Sequence, residues 1–130
     1  MAALSNGLRR MARPAFARSF AEVPIKQVAR VVRSHVGNEE NAVKMDAFTK
    51  EVSAIMQKEC PGYVKSVRTV CKAEWAYETA YVFDSLDNFK AYMESPVRTE
   101  KVMPILEKAK GLMTDADKMY SGNRVYDEPL

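Results

Sequence analysis

The sequence lacks any long run of apolar residues. No stretch approaches the roughly 18 to 20 consecutive apolar residues that cross a bilayer, so we expect no membrane span. Also missing are a glycine-rich phosphate loop, a Gly-Xaa-Ser-Xaa-Gly elbow and a His-Glu-Xaa-Xaa-His motif. These absences remove the usual support for nucleotide hydrolysis, triad hydrolysis and zinc proteolysis.

Cysteine and histidine are scarce, with two cysteines and one histidine in the chain. The stretch between Cys60 and Cys71 is predicted to be mostly a strand, which would hold the two α-carbons more than about 30 Å apart. A disulfide needs about 5.5 Å between them. We therefore expect two reduced, structural thiols and no metal site.

Acidic residues are absent from residues 1–20, which carry four arginines, at positions 9, 10, 13 and 18. Apolar residues recur at helical spacing there, at positions 4, 8, 11 and 15. This composition is typical of a mitochondrial transit peptide, and the step from Arg18 to Ala21 matches a presequence cleavage pattern. We predict import into the mitochondrion, into the matrix. A disordered basic tail and a plastid address are the alternatives.

The rest of the chain is not basic, because once those four arginines are set aside acidic side chains slightly outnumber basic ones. A nucleic-acid-binding domain usually carries its positive excess on the folded part, so we expect no nucleic-acid partner. With 47% apolar residues overall, the remainder has enough material for one core. We predict a linker over 21–26, one domain over 27–126 and a tail over 127–130.

Hydrophobic periodicity and turn residues predict seven elements in the domain. Asn38 or Asn41 caps the first helix, which ends at Glu59 before a Pro-Gly pair. The elements are a strand over 27–36, this helix, strands over 63–72 and 75–83, a helix over 86–94, a further helix over 99–112 and a strand over 118–126. The order β-α-β-β-α-β, with a split second helical region, is the α+β ferredoxin-like plan.

The third strand carries an aromatic stripe. Trp75, Tyr77, Thr79, Tyr81 and Phe83 alternate along it and are predicted to point the same way. Two helical regions cover only one face of a four-stranded sheet, and an exposed aromatic patch marks an interface or a ligand groove. We predict that the stripe lies on the uncovered face and is sheltered by a second copy, in a homodimeric barrel with a two-fold axis.

Two segments carry a resemblance to a known family. Residues 60–63 (CPGY) and 81–96 (YVFDSLDNFKAYMESP) resemble the antibiotic-biosynthesis-monooxygenase type of domain within the dimeric α/β-barrel superfamily. The likeness lies in pattern and covers roughly residues 27–113. It implies homodimerisation through the sheets, a small apolar cavity between sheet and helices, and cofactor-free oxidation of an aromatic substrate. Haem-degrading relatives have a histidine where Tyr92 stands, so the resemblance does not imply haem breakdown.

His35 and Tyr92 are the candidate catalytic residues. His35 is the only histidine, and its titration near neutral pH suits an acid or a base. Arg33 lies two residues earlier on the same strand face, where it could hold an anion beside His35. A structural histidine near a strand end is the plainer alternative, because no carboxylate or nucleophile can be placed around it by spacing.

Three aromatic residues are candidate ligand contacts. Trp75, Tyr77 and Tyr81 stack on a flat small molecule in one interpretation and fill the dimer interface in the other.

Two functions follow. The first is a mitochondrial homodimer that binds a small apolar or aromatic molecule and, if it is an enzyme, is a cofactor-independent monooxygenase. The second is a non-catalytic accessory subunit that docks on a larger mitochondrial assembly, and a haem or porphyrin carrier is a weaker third. An enzyme should show an enclosed cavity of roughly 300 Å³ or more with converging polar groups, whereas a subunit should have a filled interior.

Overall fold

Four antiparallel strands and three α-helices make up the fold in the computed structural model, which describes residues 25–126. Along the chain these are β1 Gln27–His35, α1 Glu39–Glu59, β2 Tyr63–Cys71, β3 Ala76–Phe83, α2 Leu86–Glu94, α3 Met103–Ala109 and β4 Tyr120–Tyr126. A π-helical turn, Arg98–Val102, precedes α3, and short 3-10 turns follow at Lys110–Leu112 and Ala116–Lys118. The strand order across the sheet is β2-β3-β1-β4.

This arrangement confirms the predicted ferredoxin-like plan with a split second helical region. The predicted transit peptide over 1–20 and the tail over 127–130 lie outside the described residues, as does most of the 21–26 linker. Import into the mitochondrion therefore stays a prediction. None of the helices between residues 25 and 126 combines the length and apolar character needed to cross a membrane.

Local sequence signals set both ends of α1. The Asn38 side chain accepts a hydrogen bond from the Asn41 backbone N–H at 2.8 Å, which satisfies one of the free donors at the helix start. Beyond the helix, Gly62 has a φ of +84°, which glycine adopts without strain. A Cβ at Gly62 would collide with the Asn88 side chain. This glycine therefore lets the chain turn into β2 beside α2.

Strand pairing shows which side chains face the helices. On β1, Val28, Arg30, Val32 and Ser34 share one face, and they pair opposite alternate residues of β3 from Phe83 to Tyr77. The other face of β1 carries Ala29, Val31, Arg33 and His35, as the alternation predicted. Because directly opposite residues of an antiparallel pair project to the same side, the β3 rings share the face of Arg30 and Val32.

That face is the one the helices cover, so the prediction that the aromatic stripe lies on the uncovered face is wrong. Phe83 is fully buried, and its ring stacks on Tyr92 of α2 with centroids 5.1 Å apart. Phe89 and Tyr63 pack edge-on against it at 5.9 and 6.1 Å. The large rings have the most apolar area to remove from water, and the helices provide that cover within one chain.

Trp75 is not part of the stripe. It lies in the turn between β2 and β3 with a φ of 53°, in the left-handed region, so β3 begins one residue later than predicted. Its carbonyl accepts a hydrogen bond from the Val36 N–H at 2.9 Å. Its ring packs against a buried cluster that includes Met45 and Tyr77. Trp75 therefore closes one end of the core.

The outer face of the sheet carries small apolar side chains in its centre. Ala29, Val31 and Val82 are buried there, with Ala80 packed against them. Glu78 also lies on this face and not toward the helices. It accepts a hydrogen bond from Arg33 Nε at 3.1 Å. The outer face is thus a modest apolar centre with charged residues around it.

Candidate functional site

A cavity of about 130 Å³ lies between the helix-covered face of the sheet and the layer formed by α1, the π-helical turn and α3. Its apolar wall comes mainly from Val32 of β1 with Phe48, Val52, Val102, Ile105 and Leu106 of the helical layer. Its polar wall comes from Arg30, Ser34, Thr49, Tyr77, Tyr92 and Arg98.

Tyr77 connects the cavity to the protein surface through hydrogen bonds. Its hydroxyl donates to Asp46 Oδ1 at 2.6 Å and lies 3.0 Å from Thr49 Oγ1. Asp46 also accepts two hydrogen bonds from the Arg68 guanidinium, each at 3.0 Å. Arg68 is exposed, so this chain of polar groups runs from solvent to the cavity wall.

The tyrosines that line the cavity stay neutral at physiological pH. Burial, reinforced by the hydrogen bond to Asp46, raises the pKa of Tyr77 to about 12. Burial raises the pKa of Tyr92 to about 12 as well, although the nearby Arg98 and Arg30 act to lower it. Burial also raises the pKa of Tyr81. These phenols therefore serve as hydrogen-bond donors and not as bases near pH 7.

Two arginines face the same cavity from different elements. Arg30 projects from the middle of β1, and Arg98 begins the π-helical turn. Burial, followed by the repulsion of Arg98, lowers the pKa of Arg30. The π-turn is closed by a hydrogen bond from the Met103 N–H to the Arg98 carbonyl. Such turns occur often at functional sites, because they change the direction of side chains within a helix.

The structure brings some of the predicted site residues together and separates others. Tyr77, Tyr81 and Tyr92 all line the cavity. His35 does not, because it sits exposed at the end of β1 on the outer face. Arg33 shares that outer face, where it pairs with Glu78.

Trp75, in its turn position, also lies outside the cavity wall. None of His35, Arg33 and Trp75 lines this cavity. The catalytic role of His35 and the ligand-binding roles of Arg33 and Trp75 stay predictions.

Sequence reasoning missed the two arginines and the polar pair on α1. Arg30 had a detectable signal, since it falls on the apolar, core-facing side of the β1 alternation, where a charge is unusual. Asp46 and Thr49 lie beside the apolar stripe of α1 and looked like ordinary surface residues. Arg98 had no signal of its own, because its direction depends on the π-turn.

Between residues 25 and 126, no group of three or more histidine, cysteine, aspartate or glutamate side chains is placed to hold a metal ion. Cys60 is buried and Cys71 is exposed, and both are free thiols. Burial raises the pKa of Cys60, with a further contribution from Glu59.

Comparison with known proteins supports the fold. No protein-family model matches the chain, and no curated protein matches it. Among solved structures, SnoaB from Streptomyces nogalater, a cofactor-independent oxygenase, is 17% identical with a TM-score of 0.59, covering 81% of this chain and 97% of its own. A Streptomyces coelicolor monooxygenase solved with nanaomycin D is 15% identical with a TM-score of 0.62, covering 82% and 91%.

A further match is a dimeric ferredoxin-like protein from an uncultured marine organism, at 13% identity and a TM-score of 0.59, covering 81% of this chain and 91% of its own. Identities this low establish the fold alone. The chain has the ferredoxin-like fold of these structures, which is the architecture that its sequence resemblance implied.

Proposed function

We propose that this protein is a mitochondrial homodimer that binds a small aromatic molecule in the cavity beneath its helices and oxidises it without a cofactor. The observation that carries the proposal is the cavity itself, in which an apolar wall faces converging hydroxyl and guanidinium groups. That combination is typical of a ligand site. The match to a cofactor-independent oxygenase of the same fold supports the reaction type.

The size of the cavity limits the substrate. From the sequence, we expected an enzyme to have a cavity of roughly 300 Å³ or more with converging polar groups. The observed volume of about 130 Å³ is smaller, but polar groups do converge in the cavity. An apolar cavity of about 150 Å³ accepts a benzene molecule. We therefore propose a single-ring substrate and not a multi-ring one.

The substrate must supply the electrons in a cofactor-free reaction. A one-ring hydroquinone meets this need: with one O₂ it gives a hydroxyquinone and one water. One oxygen atom enters the ring as a new C–O bond, and the other leaves as water with the hydrogens that the ring loses. The neutral phenols of Tyr77 and Tyr92 would donate hydrogen bonds to the negative charge that develops on the substrate oxygen. The apolar wall would exclude bulk water.

The reaction is tested with the full-length protein, hydroquinone and isotopically labelled O₂. We expect O₂ uptake at least tenfold faster than autoxidation, with one labelled oxygen in the product. Tyr92→Phe should slow turnover, whereas Tyr120→Phe, on the outer face, should not. Uptake no faster than autoxidation, or equal loss in both variants, would contradict the proposal.

Homodimerisation through the outer face is the second part of the proposal. Four strands at about 4.8 Å spacing and about 25 Å in length present about 500 Å² per partner, or about 1,000 Å² in total. This reaches the lower limit for a specific interface. The small central side chains, Ala29 and Ala80 among them, permit close approach. The structural neighbour that is described as dimeric supports homodimerisation as such.

The oligomeric state is measured by light scattering after gel filtration. We expect twice the monomer mass for the wild type. Val67→Lys places a charge among the outer-face residues and should shift the protein toward monomer. Val43→Lys, at an exposed position of α1, should leave the mass unchanged. A monomeric wild type would exclude this mode of assembly.

Mitochondrial location rests on the basic, acid-free leader alone. Mass spectrometry of the protein purified from its organelle should find Ala21 as the first residue. An uncleaved chain recovered from the cytosol would contradict import.

A non-catalytic accessory subunit is the second candidate function. The observation that favours it is the volume of the cavity, which is below the roughly 300 Å³ of most ligand sites. Native mass spectrometry of the purified protein distinguishes the two. A retained larger assembly without hydroquinone turnover supports the subunit, whereas an isolated dimer with turnover supports the oxygenase.

A further inference from the structure

The polar wall of the cavity carries two positive charges and no negative one. Arg30 and Arg98 both line it, and none of the other lining residues is an aspartate or a glutamate. The nearest acidic group connected to the wall, Asp46, is already engaged by Tyr77 and Arg68. The cavity therefore has an excess of positive charge at its polar side.

Neither arginine has an acidic partner within residues 25–126. Arg30 Nη1 donates to the neutral Asn123 Oδ1 at 2.9 Å, and this is its side-chain hydrogen bond in the described part of the chain. The Arg98 side chain has no hydrogen bond or ion pair there; only its backbone N–H is bonded, to Ser95 Oγ at 3.3 Å. Both side chains are partly buried.

Two like charges held together in a partly buried site repel one another, and this repulsion contributes to the lowered pKa of Arg30. Arg33 is paired with Glu78 and Arg68 with Asp46, while the exposed Arg124 donates to the Tyr120 hydroxyl. The contrast between these pairs and the two cavity arginines indicates that an anion from outside the described residues completes the site.

We infer that the ligand of this cavity is a small aromatic carboxylate, whose carboxylate lies between Arg30 and Arg98 and whose ring lies against Val32 and Phe48. This inference rests on the proposed function, since it names the substrate class of the same cavity. A guanidinium presents a planar fork of N–H donors that matches a carboxylate. The neutral Tyr92 hydroxyl, beside both arginines, adds a further donor.

The volume of the cavity favours a carboxylate over a phosphate ester. A volume of about 130 Å³ is close to the volume that accepts a benzene ring. The ring therefore fills the cavity and its acid group must project toward the arginines of the polar wall, where a flat carboxylate takes less space than a tetrahedral phosphate. For the proposed oxidation, the substrate would be a hydroquinone that bears a carboxylate on its ring. The carboxylate would hold the ring in one orientation and would not itself react.

Calorimetric titration of the full-length protein with matched probes tests the inference. Benzoate and benzamide have nearly the same shape and differ in charge. We expect benzoate to bind at least tenfold more tightly, since a hydrogen bond to a charged group contributes about that factor. Arg98→Gln should remove this preference while benzamide binding is retained, which shows that the variant is folded. Arg124→Gln, a matched change at an exposed arginine of β4, should keep the preference.

The outcomes separate the inference from the proposed function. If benzamide binds as tightly as benzoate to the wild type, the carboxylate inference is wrong and the cavity remains a ligand site. If Arg124→Gln loses the preference as Arg98→Gln does, the assignment to the cavity is also wrong. Tighter binding of phenyl phosphate than of benzoate would overturn the choice of a carboxylate. Failure of every probe to bind would overturn both the inference and the proposed single-ring site.

Discussion

Removing the Tyr77 hydroxyl tests whether the hydrogen bonds of a buried polar group stabilise the fold. Tyr77 is 3% exposed, and its hydroxyl donates to the charged Asp46 at 2.6 Å while lying 3.0 Å from Thr49. Tyr77→Phe keeps the ring and its packing but deletes both contacts. The change therefore isolates the hydrogen bonds from the hydrophobic burial.

The magnitude follows from the charge of the acceptor. A hydrogen bond to a charged group contributes about 1.5 to 3 kcal/mol to the free energy of unfolding. In the variant, Asp46 keeps its two hydrogen bonds from Arg68. Because 26% of the Asp46 side chain is exposed, water replaces part of the lost hydrogen bond from Tyr77. We therefore expect the lower half of the range, about 1.5 to 2 kcal/mol.

Urea denaturation at fixed protein concentration measures this difference. With a slope of about 1.5 kcal/mol per molar urea, the midpoint should fall by about 1 M. Tyr120→Phe is the matched control, because its hydroxyl accepts from Arg124 at an exposed site. Its effect should stay within about 0.5 kcal/mol.

A double-mutant cycle with Asp46→Ala decides whether the effect comes from this bond. The two changes should be non-additive by about 1 kcal/mol, since they remove the same interaction. If Tyr77→Phe is as mild as Tyr120→Phe, or if the two changes add, then the hydrogen bond to Asp46 does not stabilise the fold as argued.

Three further predictions concern the core, a turn and a titration. Phe83→Ala should lower the free energy of unfolding by about 3 to 5 kcal/mol in the same urea assay, because this fully buried ring contacts Tyr92; a loss under about 1 kcal/mol would contradict the packing. Gly62→Ala should destabilise by more than about 1 kcal/mol, because its φ is +84° and a Cβ would meet Asn88, whereas Gly111→Ala, with open space around it, should be neutral or stabilising. Because folding raises the Tyr92 pKa from about 10 to about 12, its contribution to stability is present below pH 10 and is lost as pH rises through 12. Phenolate absorbance should therefore show a late phase, to which Tyr77 and Tyr81 also contribute, that is smaller by one tyrosine in Tyr92→Phe; an undiminished late phase would contradict the assignment.

Much of the fold was predictable because its signals are local. The Asn38 cap, the apolar spacing of α1 and the Pro-Gly stop place that helix to within a residue or two of its observed ends. Alternation along β1 placed Arg33 and His35 on one face, as observed. The helix predicted over 86–94 is α2, whose first turn Ser85 caps. These features depend on neighbours a few residues away, so the sequence carries them directly.

The direction of the aromatic stripe was not predictable by the same reasoning. Both faces of β1 and β3 are apolar enough to be buried, so periodicity separates the faces without saying which one meets the helices. The alternation also assigned Trp75 to the stripe, because the backbone turn at its position has no clear signal in the sequence.

The amino-acid order by itself determined the elements, their sequence along the chain and the ferredoxin-like plan, because capping, turn and periodicity signals act over a few residues. Only the tertiary structure decided that the rings lie beneath the helices and that Arg30 and Arg98 meet at one cavity. Arg30 and Arg98 are far apart in the chain and come together through the packing of the π-turn over β1. Such a meeting is a property of packing, which no local pattern encodes.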